Sequence, residues 1–268
     1  MLNNITIGQY YPSNSLVHKL DPRTKIILTV LYIVMLFAAA DPIGLIPGIV
    51  FFVVAYLVSS VPLRMIFKSL KPIIPLILFT GILNLFFVGS TVIFKFWIFK
   101  ITAEGIEFAI FMVVRIISLI AGTSLLTYTT TPIMLTDGLE SLLSPLKKLK
   151  FPVHELAMMM TIALRFIPTL IEETDKIMSA QKARGADLES GGILKRAKAL
   201  IPILIPLFVS AFRRAGDLAL AMESRCYHGG EGRTRLRELK FALRDVLAIA
   251  LTLLFLGAVF TFNYLWRW

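Results

Sequence analysis

The stretch VHELAMMMTIALRFIPTLIEETDKIMSAQKARG, Val153–Gly185, decides the class of fold. Its pattern is that of one long helix with Pro168 as the place for a kink, and it stops where a glycine permits a left-handed cap. A second helical pattern, Gly191–Ser224, stops in the same manner near Arg225. In each case one arginine between small residues, Arg184 or Arg225, precedes a run rich in glycine. These two stretches predict a helical protein with two long helices that end alike.

The composition favours a membrane protein. The 268 residues are 57% hydrophobic and include 20 Phe and 1 Cys. Soluble domains are about 45–50% apolar, so the excess favours a bilayer as the surrounding solvent. A single cysteine cannot form a disulfide within the chain, which excludes a disulfide framework. The formal charge of +11 fits cytoplasmic Lys and Arg next to anionic headgroups. The chain has no basic tail that would favour nucleic acid as a partner.

Apolar runs along the chain approach the length of about 20 residues that a bilayer-spanning helix needs. They predict an all-α, polytopic membrane protein with about five transmembrane helices plus long cytoplasmic helices. The predicted spans are Lys25–Ala40, Pro42–Ser59, Pro72–Val88, Ile106–Tyr128 and Val246–Trp266.

The distribution of Lys and Arg predicts the orientation of these spans. The segment before the first span and the loop between the second and third spans are basic, whereas the opposite side carries only Lys95, Lys100 and Arg267. Because cytoplasmic loops hold the excess of Lys and Arg, we expect the N-terminus inside the cell and the C-terminus outside.

The segment between the fourth and fifth spans is too long for a plain loop and holds 18 of the 28 Lys and Arg residues. Before the two long helices, a short amphipathic helix is expected to begin with Thr131 as its N-cap and Pro132 at its first position. In the second long helix, Leu200–Phe212 is an apolar stretch of about 13 residues that includes two prolines. That length favours a buried or interfacial helix over a further span. The expected domains are an N-terminal membrane part with four spans (1–131), cytoplasmic or interfacial helices (132–240) and a C-terminal span (241–268).

Arg184 and Arg225 have two interpretations. A cation near the C-terminus of a helix interacts favourably with the helix dipole, which alone accounts for one such residue. The second occurrence favours a binding role. Two parallel tips, each with one planar guanidinium, suit two similar acidic clefts, because arginine binds carboxylates in bidentate fashion.

Arg115 lies within the fourth predicted span. A charge inside the membrane is a candidate functional residue. The alternatives are an internal pair with Glu104 or Glu107, or a side chain that reaches the interface.

The motif LDPRTK, Leu20–Lys25, precedes the first span. We expect Asp21 to cap the helix and Pro22 to open it. Arg23 and Lys25 are expected to anchor the helix at the inner headgroups.

Other chemistry finds little support in the sequence. It contains no G-x-x-x-x-G-K-[ST] motif, so the chain is not expected to hydrolyse nucleotide by itself. His18, His154 and His228 are scattered, and no metal-binding cluster is visible.

A stand-alone channel or secondary transporter would need inverted repeats and several intramembrane polar groups. A membrane-embedded enzyme would need carboxylate, His or Cys clusters at the membrane face.

LDPRTK together with KARG and ESRC, which end successive helices, resembles the T component of energy-coupling factor (ECF) transporters. The resemblance covers nearly the whole chain, and the paired short motif is its most specific part. It implies the transmembrane coupling subunit of a micronutrient importer in the cell membrane of a prokaryote. The implied partners are two ABC-type ATPases and a substrate-binding S component for a vitamin or a metal. ATP would be bound by the partners, so we expect neither a cofactor nor enzymatic activity of this chain itself.

The same resemblance implies that two Ala-Arg-Gly-like motifs dock into grooves on the ATPases. The motifs are Ala183, Arg184 and Gly185, and then Ser224, Arg225 and Cys226. The second departs from the pattern at both flanks, and Cys226 lacks the conformational freedom of glycine. Where the second long helix ends is therefore left open by the sequence.

Overall fold

The computed structural model describes residues 10–89, 92–96, 99–186, 192–230 and 239–266. Within these ranges the chain forms nine α-helices and one antiparallel hairpin. The helices are α1 Pro22–Ala38, α2 Ile46–Ser59, α3 Leu63–Leu70, α4 Ile74–Phe87, α5 Ala103–Thr129, α6 Pro132–Leu143, α7 Val153–Ala183, α8 Ile193–Glu223 and α9 Leu243–Trp266; the strands are β1 Val92–Phe96 and β2 Phe99–Thr102.

The described residues divide into two compact units. The bundle unit consists of residues 10–138 and 239–266, and so contains α1 to α5 and α9. The helix-pair unit consists of residues 139–186 and 192–230, and contains α7 and α8.

The predicted class, an all-α polytopic membrane protein, is confirmed. Five helices are long and apolar enough to cross a membrane, judged by length and composition. They are Leu63–Phe87, Ala103–Thr129, Val153–Ala183, Ala197–Glu223 and Leu243–Leu265.

These five helices are not the same as the five spans predicted from the sequence. The third predicted span is longer, because α3 continues through a 3-10 turn into α4. The first two predicted spans correspond to α1, with 17 residues, and to Ile43–Ser59, a shorter apolar helix. The helices α7 and α8 qualify by length and hydropathy.

The entry into α1 follows its local sequence signals. The Asp21 carboxylate accepts a hydrogen bond from the backbone N–H of Arg23 at 2.9 Å, and Pro22 occupies the first helical position. The predicted cap of α6 is also present, since the Thr131 hydroxyl accepts a hydrogen bond from the N–H of Met134 at 3.3 Å. Both helix starts thus satisfy N–H groups that have no partner within the helix.

A carboxylate from α9 joins the start of α1 to the start of α9. Asp245 is 1% exposed, and its two oxygens accept hydrogen bonds from the N–H of Asp21 at 2.8 Å and of Ala242 at 2.9 Å. At the other end of α1, the Asn263 side chain donates to the Ala38 carbonyl at 2.6 Å and accepts from the Ala40 N–H at 3.2 Å. The two helices therefore run parallel.

Lys25 differs from its expected position at the headgroups. It is 4% exposed, and its ammonium donates hydrogen bonds to the carbonyls of His18 at 3.1 Å and Thr129 at 2.9 Å. Because Thr129 is the last residue of α5, this contact brings the end of α5 to the start of α1. The chain thus leaves α5 and enters α9 at the same end of the bundle unit.

Arg115 ties α5 to the far end of α1. Its guanidinium donates a hydrogen bond to the Ala39 carbonyl at 2.5 Å and lies 4.1 Å from the centroid of the Phe111 ring. Close packing between the same helices is permitted by Gly122, where an added Cβ would lie 2.1 Å from the Tyr32 ring. Arg115 thus forms a contact between α5 and the end of α1.

We predict that Asp245→Ala destabilises the bundle unit. The change leaves the buried N–H of Asp21 without an acceptor and removes a carboxylate near the buried Lys25, at a cost of roughly 2–3 kcal/mol. The measurement is thermal unfolding of the full chain in detergent. The control is Asp41→Ala, since Asp41 lies beyond the other end of α1 and has no partner among the described residues. Equal loss of stability in both variants would contradict this role of Asp245.

Candidate functional site

The helix α7 ends in a Schellman cap directly after Arg184. The N–H of Ala186 donates to the Gln181 carbonyl at 3.0 Å, and the N–H of Gly185 donates to the Lys182 carbonyl at 3.0 Å. Gly185 has φ +83°, the left-handed conformation that this cap requires. The predicted stop of the helix at Gly185 is thus confirmed, and α7 continues through Pro168 without interruption.

The helix α8 ends in the same cap directly after Arg225. The N–H of Tyr227 donates to the Met222 carbonyl at 3.1 Å, and the N–H of Cys226 donates to the Glu223 carbonyl at 2.9 Å. Cys226 has φ +55°, although it is not a glycine. The question left open by the sequence is therefore answered: Cys226 adopts the backbone conformation that Gly185 adopts in α7.

Both arginines are exposed at their caps. Neither guanidinium has a hydrogen bond or ion pair among the described residues. A helix C-terminus carries a partial negative charge that favours a nearby cation. Each tip therefore presents one planar cation whose donors are available to a partner.

The helix pair is antiparallel, which corrects the expectation of parallel tips. The Arg214 guanidinium of α8 donates to Glu173 of α7 at 2.8 Å, and the Ser210 hydroxyl donates to the same carboxylate. Further along α7, the Gln181 amide donates to the Pro202 carbonyl at 3.4 Å. As α7 advances toward its tip, its partners on α8 recede from the second tip. The sequence could not show this, because helical patterns carry no information about relative direction.

The Glu173–Arg214 pair lies at equal distances from the two tips. Glu173 precedes Arg184 by eleven residues (184 − 173), and Arg214 precedes Arg225 by eleven residues (225 − 214). At 1.5 Å per residue, each arm is about 16 Å long. Sequence reasoning missed this pair. The available signal was a carboxylate and a guanidinium separated by 41 residues, the separation of the two tip arginines.

The segment after Arg225 folds back onto the start of α7. An added Cβ at Gly230 would lie 2.4 Å from Cδ2 of His154, so the backbone approaches the ring closely there. The His154 ring also contacts Glu140, whose carboxylate oxygen lies 3.1 Å from Nδ1 of His154. These contacts fix the second tip relative to the first turn of α7.

We predict opposite effects of substitution at the two cap positions. Gly185→Ala forces a Cβ into the left-handed region, at about 1 kcal/mol, whereas Cys226→Gly relieves such a cost. Hydrogen exchange of the last-turn amides should therefore become about fivefold faster in the first variant and about fivefold slower in the second.

The control for this experiment is Gly216→Ala. Gly216 lies inside α8 with open space around its Cα, so alanine there should slow exchange by its higher helix propensity. Faster exchange in Cys226→Gly would contradict the cap assignment.

Comparison with known proteins agrees with this architecture. Residues 13–236 match the CbiQ family, described as cobalt transport protein. The chain is 53% identical over 264 residues to the energy-coupling factor transporter transmembrane protein EcfT of Ruminiclostridium cellulolyticum, which covers 98% of this chain and 99% of that protein. It is 56% identical over 250 residues to the protein of that name from Clostridium kluyveri, covering 92% and 93%. For the Bacillus subtilis protein of that name the identity is 49% over 268 residues, covering 98% and 99%. The chain therefore belongs to the CbiQ family and, within it, to the energy-coupling factor transporter transmembrane proteins.

Proposed function

We propose that this chain couples two ABC-type ATPases to a substrate-binding S component in a micronutrient importer. As a member of its family it is a prokaryotic membrane protein and a component of a transporter. The observation that carries the finer proposal is the pair of matching caps, each with an exposed arginine before a left-handed residue. In this proposal each ATPase holds one arginine, and the substrate, a vitamin or a metal, is recognised by the S component.

The chemistry of the tips favours an acidic groove as the docking site. A guanidinium forms two parallel hydrogen bonds with one carboxylate, and it is more weakly hydrated than an ammonium. Such a group enters a narrow groove at a lower desolvation cost than lysine would. The rigid Schellman cap holds the base of each side chain, so that less conformational entropy is lost on docking.

The antiparallel crossing supports a mechanical role for the pair. The two tips lie on opposite sides of the contact between Glu173 and Arg214. A change of the angle between the two helices would therefore displace both tips at the same time. Apolar side chains on α8 remain exposed in the helix-pair unit, among them Phe208 at 66%, Phe212 at 65% and Ile205 at 60%. Exposed apolar surface of this kind fits contact with a membrane subunit or lipid. In our proposal the S component binds there.

We further propose that the N-terminus and residues 132–240 face the cytoplasm. The supporting observations are the Lys and Arg excess of these segments and the contacts of Lys25 and Asp245, which bring the end of α5 and the start of α9 to the start of α1. A chain that leaves and re-enters a bundle at one end is consistent with the positive-inside orientation.

We predict that Arg184→Ala and Arg225→Ala each weaken association with the ATPases by on the order of thirtyfold, and that the double variant is worse. Loss of one partner of a buried, hydrogen-bonded charge pair costs roughly 2–5 kcal/mol. Arg→Lys at either position should also be harmful, because an ammonium cannot form the planar fork. The measurements are co-purification and ATP-dependent uptake in reconstituted vesicles.

Matched controls for these variants are Arg165→Ala on α7 and Arg213→Ala on α8. Both arginines are exposed and have no partner among the described residues. Full assembly and uptake by the double variant would refute the coupling proposal. Uptake by the chain alone, without ATPases, would instead favour a channel or secondary transporter.

We predict that charge reversal at the crossing uncouples the two partners without releasing them. Glu173→Arg places two guanidinium groups against each other, whereas Glu173→Arg combined with Arg214→Glu restores opposite charges. The single variant should keep both ATPases bound but transport several-fold less substrate per ATP hydrolysed, and the double variant should recover. The control is Glu172→Arg, an exposed neighbour with no partner among the described residues. Equal ratios in all variants would argue against a mechanical role of this pair.

A further inference from the structure

The bundle unit contains a cavity of about 300 Å³ near the start of α1. Its walls come from the segment before α1, from α1 and α2, from the end of α5 and from the first half of α9. Lys25, Thr129 and Arg244, which line it, lie at the end of the unit where Lys25 contacts Thr129 and where Asp21 contacts Asp245. The cavity is therefore close to one membrane interface and extends toward the middle of the bundle.

The walls of the cavity are almost entirely hydrocarbon. They include Leu28 of α1, Phe51 of α2, Leu125 of α5 and Leu251 of α9. A volume of about 300 Å³ is at the low end for small-ligand sites. It is large enough for part of one acyl chain, and its chemistry complements a lipid tail.

The polar end of the cavity is cationic. Lys25 and Arg244 both line it. The Lys25 ammonium is almost fully buried and has three N–H groups, of which two donate to carbonyls and one has no partner among the described residues. Arg244 is exposed and likewise has no ion pair among the described residues.

Two carboxylates near this end do not line the cavity. Asp21 and Asp245 accept hydrogen bonds from the backbone N–H groups of Arg23, Asp21 and Ala242, and Asp21 Oδ1 lies 3.8 Å from Nε of Arg23. The charged residues that line the cavity, Lys25 and Arg244, are both cations, and basic pockets between membrane helices bind anionic headgroups.

We propose that this cavity binds part of one acyl chain of an anionic phospholipid, with the phosphate against Arg244 and Lys25. The buried, incompletely satisfied ammonium and the apolar cavity beyond it are two parts of one site: the first takes the headgroup and the second takes the tail. A zwitterionic lipid fits the cavity equally well, but its own cationic group offsets the attraction between its phosphate and the two lining cations. The site therefore selects for net charge of the headgroup.

The test uses the full chain in vesicles that contain phosphatidylglycerol or phosphatidylcholine with a photoreactive group on one acyl chain. Cross-linked peptides are quantified by mass spectrometry. We expect phosphatidylglycerol to label the cavity walls in preference to phosphatidylcholine. Arg244→Gln should reduce this preference by about fivefold, the effect of one cation near a membrane surface. Ala248→Trp, which fills the cavity from α9, should reduce labelling by both lipids.

Two variants control for general effects on the membrane surface. Arg64→Gln removes an exposed arginine of α3 that does not line the cavity, and Leu57→Trp adds a ring on α2 outside it, where Leu57 is 74% exposed. Both should label like the unmodified chain. Labelling of the cavity that is equal for the two lipids, or unchanged by Ala248→Trp, would overturn the proposal. Because the readout needs no ATPase, it is independent of the proposed coupling function.

Discussion

The arrangement of the bundle unit depends on one buried carboxylate. Asp245 accepts the backbone N–H of Asp21 and thereby places the start of α9 beside the start of α1. A buried backbone N–H without an acceptor is costly, so this contact strongly disfavours an antiparallel packing of these helices. With α1 and α9 parallel, and α5 ending beside Lys25, the segment from α6 to α8 leaves and rejoins the bundle unit at one end.

The sequence predicted features whose causes are local. Asp21 and Pro22 define the start of α1, and Gly185 defines the end of α7, because the signals for capping lie within a few residues of the helix end. It failed where contacts join distant parts of the chain. A lysine beside an apolar run was expected at the headgroups, but the acceptors that permit burial of Lys25 include a carbonyl 104 residues away.

The helix-pair unit contains a local feature that the sequence predicted and a long-range contact that it did not. The end of α7 was predictable from Gly185, but the relative direction of the two helices was not, since direction depends on the contact between Glu173 and Arg214. Cys226 is instructive in this respect. The left-handed conformation disfavours any residue with a Cβ by about 1–2 kcal/mol, yet Cys226 adopts it and reproduces the cap of α7. The geometry of the helix end is thus kept although the residue type differs, which is what docking of both tips into similar grooves would require.

The equal arms have a consequence for how force would pass through the pair. Because each arginine lies eleven residues beyond the crossing along its own helix, equal rotations of the two helices about the crossing would displace both arginines by the same distance. In the proposed complex, neither ATPase would therefore produce a larger displacement than the other.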